Sequence, residues 1–199
     1  MHRHKRKIII AVVAAMLVAP VQACHFDKML VDEMGLPCKS GKPILQKGSV
    51  AQCLNFSTNG ICFVAQKIED VTAVSYFKGE GSSCGWTTNV VAKFFTLNGW
   101  AGTNLLVKAY VYDTGEYSMA KQMFLGRCLG MSSLPTRLVL KQYDVKTGEV
   151  GDFCAIGRNK RTIGFVCGGV AVCIENSVKA LLMAQIIDER LTMIGLRHE

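Results

Sequence analysis

The stretch "GSSCGWTTNVVAKFF" (residues 81–95) contains the thiol best placed by sequence to do chemistry. Cys84 follows two serines and precedes a glycine, and the next residues read as a helix capped near Thr87 or Thr88 and ending at Asn98 and Gly99. A thiol at a helix N-terminus is deprotonated more easily, because the free amides and the helix dipole stabilise the thiolate. That would be the nucleophile of a cysteine-dependent hydrolase. Such an enzyme also needs a base to accept the thiol proton, usually a histidine held by a third group. The four histidines are His2, His4, His25 and His198, all near the chain ends. Cys84 therefore reads first as half of a disulfide beside a tight glycine turn.

Other chemistry is thinner still. The "GEGSSCG" run lacks the Lys-Ser/Thr of a phosphate-binding loop. No Asp/Glu pair sits in a pattern that separates glycosidase carboxylates from surface charge. No cofactor signature is present. Trp86 and Trp100, each beside a glycine, form a candidate platform for a glycan or peptide. Asn55-Phe56-Ser57 is a glycosylation sequon, relevant only to a eukaryotic secretory route.

Nine cysteines are spread along the chain at positions 24, 38, 53, 62, 84, 128, 154, 167 and 173. Tetrahedral metal sites want close pairs such as C-x2-C, and the tightest spacing here is the C-x5-C of Cys167 and Cys173, so no metal site is expected. In an exported chain this usage specifies a disulfide framework. The N-terminus supports export: "MHRHKRK" carries four formal positive charges and precedes thirteen apolar residues (8–20), too short for the about 20 that span a bilayer. A basic start, a short apolar run and the small-x-small ending Val21-Gln22-Ala23 specify a signal peptide over residues 1–23 and a single domain over 24–199.

Cleavage after Ala23 makes Cys24 the first mature residue. "VQAC" resembles a bacterial lipobox at Val21, Ala23 and Cys24, whereas Pro20 and Gln22 depart from it. Cys24 is thus a candidate for lipidation or for an extra disulfide. Without it, Cys38, Cys53, Cys62, Cys84, Cys128, Cys154, Cys167 and Cys173 are enough for four bridges. Removing the leader leaves 19 Lys+Arg against 15 Asp+Glu, so the formal charge falls from +8 to +4. The remaining basic cluster, "GRNKRT" (157–162), has no aromatic residue interleaved, and no nucleic-acid partner is expected. Contact with a membrane is expected only through a lipid on Cys24.

The elements follow from punctuation and period. Residues 26–34 carry Phe26, Met29, Leu30 and Met34 at helical spacing before Gly35 and Pro37. Asn59-Gly60 is a strong two-residue hairpin signal that sets Thr58 opposite Ile61 and Ser57 opposite Cys62. Extended in that register, Cys53 falls opposite Gln66, roughly 13 Å along the strand from Cys62 and too far to bridge. Residues 105–124 and 137–157 each place Tyr-Asp shortly before Thr-Gly-Glu and read as two further hairpins. The apolar run 162–174 reads as a buried strand pair turning at Gly168-Gly169.

A C-terminal helix over 178–194, capped by Asn176 or Ser177, sets Leu182, Met183, Ile186, Ile187, Leu191 and Ile194 on one face. Gln185, Asp188, Glu189 and Thr192 fall on the other. The expected fold is α+β: antiparallel hairpins with the C-terminal helix packed on the sheet, stapled by disulfides. The expected role is a non-enzymatic binding and assembly protein of the bacterial envelope, periplasm or exterior, for instance an accessory part of a secretion or conjugation system. A periplasmic inhibitor or immunity protein is the main alternative, and a hydrolase using Cys84 a weaker one.

Overall fold

The computed structural model describes residues 34–78, 85–129 and 141–196. The chain divides into two compact units, Met1–Cys38 and Lys39–Glu199, and the fold below belongs to the second. The leader, Cys24, most of the 26–34 helix and Cys84 lie outside the described residues.

Asn59 and Gly60 both take positive φ (50° and 74°), the conformation a two-residue hairpin needs at its centre. They join β1 (Phe56–Thr58) to β2 (Ile61–Lys78), with Thr58 opposite Ile61 and Ser57 opposite Cys62 as expected. The sheet continues through β3 (Gly85–Ala101), β4 (Asn104–Asp113), β5 (Tyr143–Thr147), β6 (Phe153–Gly157), β7 (Ile163–Cys167) and β8 (Val170–Glu175). All eight strands form one antiparallel sheet in the order β1-β2-β3-β4-β8-β7-β6-β5. The described residues also include the α-helical segments α1 (Val50–Cys53), α2 (Tyr117–Met123) and α3 (Ala180–Gly195). No helix among the described residues is long and apolar enough to cross a membrane.

Strand alternation divides the core between two faces. On one face Phe95, Leu97, Val111, Phe165, Val172 and Ile174 join Met183, Ile187 and Leu191 of α3 in one buried cluster, with Val50 and Leu54 at α1. Arg190 of α3 reaches back to α1, donating from Nε to the Cys53 carbonyl at 3.0 Å. The opposite face carries α2 and a wide turn over Phe124–Cys128, closed by Leu129 N–H donating to the Phe124 carbonyl. Phe124 and Phe153 meet edge to face with ring centroids 5.1 Å apart. Gly164 permits this approach, since a Cβ there would lie 2.9 Å from the Phe124 ring and 3.1 Å from Cys128 Cβ. With helical layers on both sides, β7 is buried throughout and β8 up to its last residue, which explains the continuous apolar run 162–174.

Asp152, 9% exposed, ties the segment after Lys39 to this centre. Its carboxylate accepts hydrogen bonds from Ser40 Oγ, Gly41 N–H (2.6 Å), Lys42 N–H (3.1 Å) and Gly168 N–H (2.8 Å).

Two expected elements are overturned. Residues 85–101 form a strand rather than a helix after Cys84, paired along its length with β2. Its Thr, Val and Phe content suits a pleated surface better than a helix. The thiol–dipole argument for Cys84 therefore loses its helix. The Tyr-Asp-Thr-Gly-Glu turn at 112–116 leads into α2 rather than a return strand, because "SMAKQM" is made of good helix formers. The other Thr-Gly-Glu segment does form a hairpin, β5–β6, with Thr147 opposite Phe153.

The disulfide staple is also not supported. Cys38, Cys53, Cys62, Cys128, Cys154, Cys167 and Cys173 are all free thiols. The sheet separates them: Cys154 and Cys167 belong to the α3 side, Cys173 points to the other, Cys53 ends α1, and Cys62 is exposed on β2. The C-x5-C pair straddles a two-residue turn with opposite parity, so Cys167 and Cys173 face away from each other. Burial pushes the Cys154 thiol up to about 11 and raises Cys167 strongly, with the Asp188 carboxylate beside Cys167 adding to the effect. At pH 8 only about one Cys154 in a thousand is thiolate, and the thiolate is the reactive form. Thiol counting on the reduced native protein is therefore expected to label Cys62 promptly, and Cys154 and Cys167 only after unfolding. Prompt native labelling of Cys154 would contradict the buried placement.

Candidate functional site

A large concavity lies where the β5–β6 hairpin passes the start of α3. In the hairpin register Asp144 sits opposite Ile156 and Lys146 opposite Cys154. Directly opposed residues share a face, so Asp144 and Lys146 lie on the α3 side of the sheet. The β6–β7 connection is a tight loop in which Lys160 takes φ 57°, Lys160 N–H donates to the Gly157 carbonyl, and Arg161 N–H donates to Asn159 Oδ1. This loop presents Arg158 and Lys160 at the rim.

Ser177 fixes the third wall. Its N–H donates to the Arg161 carbonyl, its Oγ accepts from Lys179 N–H at 3.3 Å, and its carbonyl accepts from Ala180 N–H. Ser177 thus orders the turn before α3, but the helix starts at Ala180 with Lys179 at its N-cap and no side-chain capping bond, so the cap expected at Asn176 or Ser177 is displaced. The helix enters with Val178 80% and Leu182 47% exposed. Leu182 was expected on the buried face, and the structure turns it outward. Asp188, expected on the solvent side, is buried and ion-paired with Lys42 at 3.3 Å. The difference comes from the axial rotation of α3, which its packing on β7 and β8 decides.

The result is a groove of about 770 Å³ with Ile156 and Leu181 in its floor and Val178 and Leu182 on one lip. On the hairpin wall one lysine is shared by two carboxylates, which leaves a net negative charge of one there. Lys146 Nζ lies 2.9 Å from Glu149 Oε2 and 3.9 Å from Asp144 Oδ2, and the Glu149 hydrogen bond raises the lysine's affinity for its proton. Arg158, Lys160 and Lys179 line the same groove, and none of them is ion-paired to a described carboxylate. The site offers apolar surface framed by unneutralised cations. It can bind, and its lining holds no histidine or cysteine.

Trp86 and Trp100 lie on the same strand fourteen residues apart, roughly 45 Å of chain at ~3.3 Å per residue. Trp100, 36% exposed, stands opposite Cys62, near the β1–β2 turn. Among the described residues no group of three or more His, Cys, Asp or Glu side chains is placed to hold a metal ion. Sequence reasoning missed the groove. Its cations were visible only as the "GRNKRT" turn, and nothing local linked that turn to residues 144–149 or 178–185.

Compared with known proteins, the chain matches no family model, no curated protein and no solved structure.

Proposed function

We propose that this protein is a non-enzymatic exported binding and assembly component that takes an acidic, aliphatic segment of a partner protein in the groove between β5–β6 and α3. The groove carries the reading: four aliphatic side chains are offered to solvent at one place, beside three cations that are not ion-paired to any described carboxylate. An extended peptide alternating leucine and glutamate would bury its apolar side chains against Ile156, Leu181 and Leu182 and pair its carboxylates with Arg158, Lys160 and Lys179. The setting we infer, the bacterial envelope or exterior as an accessory of a secretion or conjugation apparatus, is supported by the basic leader, the short apolar run and the cysteine usage.

Two labelled peptides test this by fluorescence anisotropy, one alternating Leu and Glu, the other Leu and Lys. The acidic peptide is expected to bind more tightly, with affinity falling as salt rises, because exposed charges are screened within about 10 Å at 0.1 M. The double reversal Arg158→Glu with Lys160→Glu is expected to weaken it about tenfold, at roughly 0.5–1 kcal/mol for each exposed charge. Equal binding of both peptides, or no loss in the double variant, would overturn the reading.

A further inference from the structure

The chain carries an acidic, aliphatic segment on its own surface. Of the large apolar residues exposed among the described ones, Ile68 alone has an acidic neighbour in sequence, Glu69, with Asp70 following. β2 bulges there: Lys67 stands opposite Phe95 and Glu69 opposite Phe94, so Ile68 is the extra residue, and its side chain is 52% exposed. A bulge re-aims a side chain out of the regular ladder. Glu69 shares the face of Phe94 and Asp70 the face of Lys93, which puts carboxylates on both sides of Ile68. Glu69 is ion-paired to no described cation. Asp70 meets Lys67 at 3.2 Å with both side chains more than half exposed, and such pairs contribute little. Among the described residues β1 pairs with β2 no further than Phe63, and residues 66–70 are all exposed.

Resting on the groove reading above, we infer that the segment taken by the groove is residues 68–70 of a second copy, so that the chains assemble head to tail. The fit is apolar and electrostatic together. Ile68 of one copy lies against Ile156, Leu181 and Leu182 of the next. Arg158 and Lys160 on the loop wall and Lys179 on the helix wall meet the carboxylates that flank it. The groove lining carries four cations and two carboxylates, whereas residues 67–70 carry two carboxylates and one cation. The two surfaces therefore have net charges of opposite sign, which steers one onto the other.

A chain cannot fill its own groove. In the sheet order β2 and β6 are five strand spacings apart, roughly 24 Å at ~4.8 Å per spacing. The contact therefore joins unlike surfaces of two copies and leaves one groove and one β2 edge free at the ends, to which further copies add as a ring or a filament. The bulge also decides how the copies meet. It interrupts the regular edge, so they touch through side chains rather than by extending the sheet. One apolar side chain and a few exposed charges make a small contact, and the association is weak, reversible and lowered by salt.

Sedimentation velocity tests this on the purified protein and on two variants made at exposed residues. One reverses the groove, Arg158→Glu with Lys160→Glu, and the other blunts the edge, Ile68→Ser with Glu69→Gln. The unmodified protein is expected to sediment faster as its concentration rises and slower as salt is added. Each variant alone is expected to associate at least about tenfold more weakly, since one of the two complementary surfaces is lost. An equimolar mixture of the variants is expected to form a 1:1 dimer and nothing larger, because between them they hold one intact groove and one intact edge. The edge variant keeps its groove and is expected to bind the alternating Leu and Glu peptide as the unmodified protein does, which reports that it is folded. An unmodified protein that stays monomeric, an edge variant that assembles undiminished, or a mixture that stays monomeric would each overturn the inference. The peptide separates this inference from the groove reading: a chain that binds the peptide yet stays monomeric keeps the groove and loses the self-assembly, whereas neither peptide binding nor assembly removes both.

Discussion

Replacing Asp152 by alanine is expected to lower the unfolding free energy by about 2–4 kcal/mol, from stranding one buried donor and weakening three part-buried ones at once. One carboxylate gathers the Ser40 hydroxyl, the Gly41 and Lys42 amides and the Gly168 amide, at 2.6–3.1 Å. Three of those donors belong to the segment entering the unit, and the fourth to the β7–β8 turn. The interaction joins elements more than a hundred residues apart. Truncation leaves the buried Gly168 N–H without an acceptor, which costs more than the net worth of that bond, while the part-buried Gly41 and Lys42 amides turn to water. Urea denaturation should show the midpoint fall with little change in slope. Asp152→Asn, which keeps one accepting oxygen but points an N–H₂ at a backbone donor, should lose an intermediate amount. A loss below about 1 kcal/mol for the alanine variant would mean that water replaces the carboxylate at no great cost.

Gly168→Ala is expected to cost about 2–4 kcal/mol, combining a left-handed backbone penalty of roughly 1 kcal/mol with overpacking of about 1–3. Gly168 has φ +55°, and an added Cβ would lie 2.3 Å from the Pro43 carbonyl oxygen and 3.3 Å from Ile44 Cα. Both obstacles are backbone and cannot swing away as the end of a lysine could. Pro43 cannot retreat either, because its ring is pressed against Gly195 at the end of α3, where a Cβ would meet Pro43 Cβ at 2.2 Å. Relief would require moving the strap that Asp152 holds, and the Gly168 amide is itself one of the four donors. The two sites are therefore coupled. In a double-mutant cycle the combined loss should fall short of the sum by about 1 kcal/mol or more, the signature of residues sharing one network. Strict additivity would show that the turn and the strap are anchored separately.

Both sites show how unevenly the sequence discloses this protein. Gly168-Gly169 was legible as a turn, since two glycines between apolar runs have few other uses. Asp152, which makes that turn immovable, looked like any loop aspartate after a glycine. Its partners at positions 40–42 are beyond the reach of local pattern. The groove was hidden for the same reason: its floor and rim come from a hairpin, a loop and a helix start, each unremarkable alone. Leu182 and Asp188 were assigned to the wrong sides of α3 because helical period gives an apolar arc but not its rotation against the sheet. The strand at 85–101 was misread because a short apolar alternation interrupted by Thr and Asn also fits a capped helix, and only its pairing with β2 and β4 decides.

What the sequence by itself determined is local. The Asn59-Gly60 hairpin with its register, the β5–β6 and β7–β8 turns and the C-terminal helix follow from backbone preferences that one or two residues carry and from the period of apolar positions. Tertiary structure alone decided the order of the eight strands, which sheet face each cysteine occupies, and which charges are left without partners. Those depend on contacts between residues tens to more than a hundred positions apart, whose geometry is set by packing the whole core and by the need to satisfy every donor it buries.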